Sequence, residues 1–427
     1  MVLEMRKMKD SGIEWIGEIP EGWSIARGKH ILTLLQRAVF PTDGVITCFR
    51  DGEVTLRSNR REDGFTVSLK EIGYQGIEPG DLVVHGMDGF AGSIGISDSR
   101  GKSSPVLVVL DSSQDKKYLM YYLRSMAYNN VFLALSTGIR VRSCDLKWNK
   151  LADLLYLVPP IVEQHKLVSF LDEKCSEIDA MLSKTRASIE EYKKLKQAVI
   201  TQAVTKGVRG EREMKDSGNP WFGQIPTDWK LSRVGLHFSI ILGKMLCNAP
   251  LNDTYTLEPY YCAADVHFDG VADGERKKMW FSPIEKDLYR VSVGDLLVVE
   301  GGAGAGGSAI VENQDSYTYI QNSIMIVRSK GNADNRYLRY LLEFLVKQGY
   351  IDVVCNKATI PHFTKDKLSC VPFCLCPTGE QKEIADYLDA KCAEIDKLIA
   401  KKEQLVKELE SYKKSLIYEV VTGKREV

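Results

Sequence analysis

Gly302, Gly304 and Gly307 form a GxGxxG pattern directly after the strand-like run from Leu296 to Glu300. Such spacing suits a loop that cradles a dinucleotide or S-adenosylmethionine, and that chemistry needs the loop to open a helix whose first N–H groups hold the phosphate. Here the next residues are SAIVENQDSYTYI, which read as β-structure, and the matching GMDGFAGS of the first half lacks the pattern. A glycine-rich hairpin is expected, with no cofactor. Cys370, Cys374 and Cys376 alternate with apolar residues in a spacing wrong for a zinc knuckle, so they read as buried small hydrophobes, with no metal site. No Walker, HExxH or GxSxG sequence occurs, and the adenine-methyltransferase signature is absent, since Val158-Pro159-Pro160-Ile161 does not match it. The chain offers no credible active site, catalytic residues are expected to be none, and a binding and positioning protein is the better expectation.

Basic side chains are the remaining source of chemistry. Arg57, Asn59, Arg60 and Arg61 share one turn-like stretch, and Arg140, Arg142 and Lys147 follow the turn Ser136-Thr137-Gly138. In the second half Arg276, Lys277 and Lys278 precede Trp280, and Lys357, His362, Lys365 and Lys367 occupy the counterpart of the Arg140 segment. Arg and Lys can read guanine edges or hold phosphates, so these loops are candidate DNA-binding sites. Taken singly each is an ordinary solvated loop; their recurrence at equivalent places in both halves is what raises them.

The elements that would position these loops come in two copies. MKDSGIEWIGEIPEGW, from Met8 to Trp23, returns as MKDSGNPWFGQIPTDW, from Met214 to Trp229, and LDEKCSEID from Leu171 returns as LDAKCAEID from Leu388. The offset between copies is 206 residues at MKDSG, 214 at Gly80-Asp81 against Gly294-Asp295, and 217 without a gap from Glu163 to Thr205. Length changes therefore accumulate in the globular parts while the last segment is held to one length.

That last segment reads as a long helix in each copy, begun after prolines and free of Pro and Gly for about 40 residues. With Leu171 at heptad position a, the first stripe has Leu171, Ile178, Thr185, Tyr192 and Val199 at a, Met181 and Leu195 at d, and Cys175, Leu182, Ile189 and Ala203 at e. The second has Leu388, Ile395, Lys402, Leu409 and Leu416 at a, Leu398, Leu405 and Tyr412 at d, and Cys392, Ile399, Val406 and Val420 at e. A coiled-coil-like stripe widened by a third apolar position has more to bury than one partner helix covers. The plain alternative is a pair of core helices in one globule. Against it, a helix of about 44 residues makes a rod of roughly 66 Å, which suits a spacer.

The globular parts look α+β: DLVVH and DLLVVE follow Gly-Asp turns as strands, and KYLMYYLRSM and RYLRYLLEFL read as helices. The expected architecture is α+β: a first globular domain over residues 1–160, a first spacer helix over 161–207, a second globular domain over 208–378 and a second spacer helix over 379–427, with the two helices as long coiled-coil-like rods. Lys plus Arg and Asp plus Glu are both 57 of 427 residues, so net charge neither supports nor opposes a nucleic-acid partner. Ten cysteines without a CxxC pair read as reduced thiols of a cytoplasmic protein, and no apolar run reaches the roughly 18 residues of a membrane span.

The ensemble resembles the specificity subunit of type I restriction-modification enzymes. The resemblance covers the whole chain: the SG-x-x-W-x-G-x-I-P-x-x-W openings at Ser11 to Trp23 and Ser217 to Trp229, a Gly-Asp-Leu turn in each half, the helix starts at Pro160 to Glu163-Gln164 and Pro377 to Glu380-Gln381, and helices ending in AVTKG and VVTGK. It implies a non-catalytic DNA-recognition subunit in which each of two domains reads one half of a split target. The helices would pack antiparallel as a ruler, two methyltransferase subunits would dock, and motor-nuclease subunits could join. The residues argue compatibly: segments alike in both halves should face something present twice, and segments that diverge should face two unlike half-sites. Half-sites about one DNA turn apart, roughly 34 to 36 Å, lie within reach of such a rod. Other readings left open by the residues are a fused methyltransferase or nuclease with degenerate motifs, and a coiled-coil scaffold that never touches DNA.

Overall fold

The computed structural model describes residues 6–60, 71–134, 146–313, 317–355 and 361–427. The chain divides into two compact units, Met1–Arg186 with Glu403–Val427, and Ala187–Lys402, so each unit takes one end of each long helix. Those helices span Ile161–Lys206 and Thr378–Val421.

The MKDSG repeat is a small hairpin in both units. Met8–Asp10 pairs antiparallel with Glu18–Pro20, and Met214–Asp216 with Gln224–Pro226. The turn is made by an aspartate: Asp10 accepts from the Gly12 N–H at 2.9 Å and Asp216 from the Gly218 N–H at 3.0 Å, with both glycines at positive φ. The tryptophans that end the repeat, Trp23 and Trp229, are fully buried.

Beyond the hairpin each unit carries one four-stranded antiparallel sheet of the same topology. In the first unit the order is Leu32–Leu34, Leu107–Ser112, Leu82–His85, Ile94–Ile96; in the second it is Phe238–Leu242, Ile324–Ser329, Leu296–Val299, Ser308–Ile310. A helix, Lys116–Tyr128 or Asn335–Lys347, begins at Asp115 or Asp334, whose side chain accepts from two first-turn N–H groups. The Gly-Asp-Leu turns also have one explanation. Gly80 and Gly294 adopt positive φ, and Asp81 and Asp295 each accept from an N–H three residues back at 2.8 Å and bind an arginine, Arg37 or Arg328.

The two units differ in what is added to this frame. The first adds a hairpin of Ile46–Cys48 with Val54–Leu56 and a pair of Gln75–Ile77 with Gly101–Ser103. The second adds a three-stranded sheet in which Thr256–Tyr261 lies between Lys277–Phe281 and Tyr319–Ile320, and a helix Pro283–Tyr289 closed by a Ser282/Glu285 capping box.

The joint between frame and helices is repeated almost atom for atom. Gln164 donates to the Pro159 carbonyl at 2.8 Å and accepts from the Asp115 N–H at 3.0 Å; Gln381 does the same with Cys376 and Asp334 at 2.8 and 3.0 Å. Asp172 accepts from Tyr121 and Lys117, and Asp389 from Tyr340 and Arg336. Arg6 pairs with Glu163 over Trp23, as Arg212 pairs with Glu380 over Trp229. The repeated sequence thus builds this joint, a structural duty that the partner argument from sequence had not credited.

Within each unit the helices run antiparallel, as Asp179 with Lys413 and Arg186 with Glu410 show in the first, and Lys196 with Asp396 and Tyr192 with Lys402 in the second. The packed seam holds Leu171, Cys175, Ile178, Leu182 and Ile189, then Leu388, Cys392 and Ile395, and finally Leu416 and Val420, all buried, with Tyr192, Val199 and Leu409 half-buried beside them. These are the positions lettered a and e from the sequence, and their alternating 4 and 3 spacing is a heptad seam in a shifted frame. The expected packing of Leu195, Leu405 and Tyr412 is corrected: they stay 48%, 43% and 49% exposed, because the d row lies off the seam, as does Met181. Among the described residues no helix is long and apolar enough to cross a membrane.

Candidate nucleic-acid interface

In the first unit the added hairpin and the edge of the central sheet enclose a cleft of about 760 Å³, lined by Thr47, Arg50, Arg57, Arg60, His85 and Ser93 among others. Arg57 and Asn59 sit on the one-turn helix that follows the hairpin. Arg57 is oriented by Nε donating to Thr47 Oγ1 at 2.9 Å, and Asn59 donates to Thr55 Oγ1 at 2.9 Å. Arg60 is committed to the protein: it bridges Asp51 and Glu53 and lies 4.3 Å over the Phe49 ring. Its hydrogen bond to Asp51 pulls that carboxyl below its usual range against the burial that would raise it.

Arg50, which the sequence reading did not single out, reaches the same cleft and pairs with Asp88 at 3.1 Å. His85 Nδ1 accepts from the Met87 and Asp88 N–H groups at 3.3 and 3.0 Å, so the ring proton belongs on Nε2. Burial lowers the His85 pKa, which keeps the ring neutral near pH 7. Lys147 lies apart, at the start of helix Trp148–Asp153, on a second cleft of about 540 Å³ shared with Arg37, Tyr74 and Trp148. Arg61, Arg140 and Arg142 fall outside the described residues, as does Lys357.

The second unit is built differently. Lys277 and Lys278 are exposed on strand Lys277–Phe281, where Lys278 sits opposite Pro259, and Trp280 opposite Leu257, on the face away from buried Met279 and Phe281. Arg276, expected to be a DNA contact, is instead held within the protein by Asp265 and the Ala272 carbonyl and stacks 4.9 Å over Tyr261. Lys367 is likewise occupied: Nζ donates to the His362 carbonyl at 2.7 Å, the same oxygen that the Cys355 thiol meets at 3.2 Å. Lys365 is exposed in the short helix Lys365–Cys370, and His362 is exposed beside Gly301.

The GxGxxG pattern forms the expected hairpin. It connects Leu296–Val299 to its antiparallel neighbour Ser308–Ile310, and no helix follows to hold a phosphate. Cys374 and Cys376 are buried, with thiols pushed above the usual range by burial, whereas Cys370 is exposed, a correction to the expected burial of all three.

Two unlike surfaces on one repeated frame, each presenting cations and hydrogen-bond donors, define a duplicated recognition protein. A model of the type I restriction modification DNA specificity domain matches residues 227–408. The putative type I restriction enzyme MjaX specificity subunit of Methanocaldococcus jannaschii is 25% identical over 437 residues, 96% of this chain and 95% of that protein. The type I restriction enzyme EcoKI specificity subunit of Escherichia coli K12 is 23% identical over 211 residues, 44% of each chain. Among solved structures, a chain from work on complex assembly and conformational transition of the type I R-M system is similar with TM-score 0.72 and 16% identity, covering 95% of this chain and 99% of that one. The HsdS subunit from Thermoanaerobacter tengcongensis follows at TM-score 0.52 and 17% identity, covering 95% and 98%. Over nearly its whole length the chain is similar to type I restriction-modification specificity subunits.

Proposed function

We propose that this chain reads a bipartite DNA target, one half-site per unit, and positions methyltransferase subunits beside it without catalysis of its own. One observation carries the reading: the joint of Gln164, Asp172 and Glu163 recurs as Gln381, Asp389 and Glu380, while the sheets added to the frame differ in strand number and pairing. A frame repeated to this degree with unlike additions suits one set of partners and two unlike half-sites. The globular parts 1–160 and 208–378 serve as target recognition domains, and the helices set the gap between half-sites.

Partner subunits have a surface to hold. Met181 and Leu398 are equivalent by the 217-residue offset, as are Leu195 and Tyr412, and this apolar row recurs in both units, exposed at Met181, Leu195 and Tyr412 and half-buried at Leu398. Two methyltransferase subunits would cover it, motor-nuclease subunits could join, and the assembly would act on cytoplasmic DNA. The deciding experiment is a selection of bound sequences from random duplex DNA by the full chain assembled with an adenine methyltransferase. A split motif with two unlike halves supports the reading. Absence of DNA binding would return the chain to a scaffold, and methylation by the chain alone would make it a fused enzyme.

A further inference from the structure

His85 ends the central strand Leu82–His85, and its equivalent in the second unit by strand register is Val299: His85 pairs with Leu107 as Val299 pairs with Ile324. Val299 is fully buried in an apolar cluster with Leu297, Ile320 and Ile326. In the first unit the same place is open and polar. The cleft there gathers hydrogen-bond donors from two segments: Arg50 and Arg57, on and just after the added hairpin, and the Nε2–H of His85 with the hydroxyl of Ser93, which face each other across neighbouring strands. Ser93 is fully buried, and among the described residues its Oγ has no hydrogen-bond partner, so its bonding capacity at the wall of the cleft is unspent.

Resting on the DNA-reading function above, we propose that this cleft is the base-reading pocket of the first unit and that the base it takes is guanine. In the major groove guanine presents two acceptors, O6 and N7, whereas adenine pairs one acceptor with a donor and cytosine offers a donor. A set rich in donors selects the two-acceptor edge. Arg57, whose plane is fixed by its bond to Thr47, supplies the fork geometry for that edge, and Arg50 and the His85 Nε2–H add donors at its side. The cleft also holds Asp51 and Asp88, but these are engaged by Arg60 and Arg50. The second unit has Val299 where His85 stands, so it lacks this donor and reads its half-site by another route.

The test is selection of random duplex DNA by the full chain with its methyltransferase partner, for the parent and for Arg57→Lys, His85→Ala and Ser93→Ala, with thermal unfolding of each as a check on folding. The parent is expected to enrich guanine at one or two positions of one half-site. Arg57→Lys keeps the charge but loses the fork, and is expected to cut the guanine preference there by tenfold or more while leaving the other half-site and the salt dependence unchanged. His85→Ala and Ser93→Ala should weaken the same position by threefold or more. A uniform loss of affinity with a reduced salt slope would make these phosphate contacts and overturn the proposal. So would a guanine preference that survives all three changes, or a first half-site without guanine, although in both cases the bipartite reading stands. Absence of any sequence-selective binding by the folded parent would overturn both.

Discussion

Lys196 Nζ lies 2.6 Å from a carboxylate oxygen of Asp396, joining the two long helices within the second unit. The first unit has the same contact with the helices exchanged, Lys413 with Asp179 at 2.7 Å, and the 217-residue offset carries Asp179 onto Asp396 and Lys196 onto Lys413. One ion pair, used twice, fixes the antiparallel register. Asp396 and Asp179 are about half exposed, so each pair contributes at most ~1 kcal/mol. Replacing Lys196 by Asp should lower the unfolding midpoint by only a few degrees, and adding Asp396→Lys should recover most of it. Double-mutant unfolding with no recovery would show that the contact does not set register.

The buried joint should matter far more. Gln164→Ala leaves the Asp115 N–H and the Pro159 carbonyl without partners in a site closed to water, a loss of about 2–6 kcal/mol at about 1–3 kcal/mol per orphaned group. Gln381→Ala should cost the second unit a similar amount through Asp334 and Cys376. Chemical denaturation of each variant measures this. Losses under ~0.5 kcal/mol would mean that the glutamines are not what holds frame to helix.

The off-seam row separates packing from partner binding. Leu405→Glu with Tyr412→Glu changes exposed side chains of the first unit and should leave its stability within ~0.5 kcal/mol. Association with the methyltransferase subunit, followed by calorimetry or gel filtration, should weaken by tenfold or more. Undiminished association would move the docking surface elsewhere.

Alkaline pH should loosen the fold through its thiols. Burial raises Cys48 and Cys374 to about 12 and Cys392 to about 11. The ordinary thiol of the unfolded chain titrates near 8.5, so above that pH the unfolded state loses protons that the folded state keeps. Stability is therefore fully present below about pH 8.5 and falls as pH rises toward 11–12, by up to ~1.4 kcal/mol per pH unit for each thiol. Denaturation curves at pH 8 and 10 check this, and replacing Cys48 by Ala should flatten the slope. A thiol reagent at neutral pH should modify exposed Cys370 well before buried Cys48 or Cys374.

The repeats gave the two-copy architecture because they are contiguous, but what they build came only with the fold: that MKDSG is a hairpin and that Gln164 and Gln381 close a joint. The heptad frame was harder to read, since three apolar rows fit the helix and only packing chooses two; it left Leu195, Leu405 and Tyr412 outside. Local basic runs do not tell which cations the fold already uses, because a nearby acid is invisible in a run of residues: Arg276 is held by Asp265, eleven positions away, and Arg60 by Asp51 and Glu53. The cleft was missed for the opposite reason. Arg50 and Arg57 lie far along the chain from His85 and Ser93, and only folding brings the two segments together.

The central claim is that two unlike units read one split target across a gap set by the helices. It is tested most directly by mapping methylated adenines in cells carrying this chain with its methyltransferase, for the parent and for a variant with seven residues inserted after Thr185 and seven after Lys402. Seven residues keep the heptad seam and add about 10 Å, close to three base pairs. The account predicts a motif of two unlike halves in the parent, and the same halves about three base pairs further apart in the variant. An undivided motif, or an unchanged gap in a folded and active variant, would contradict it.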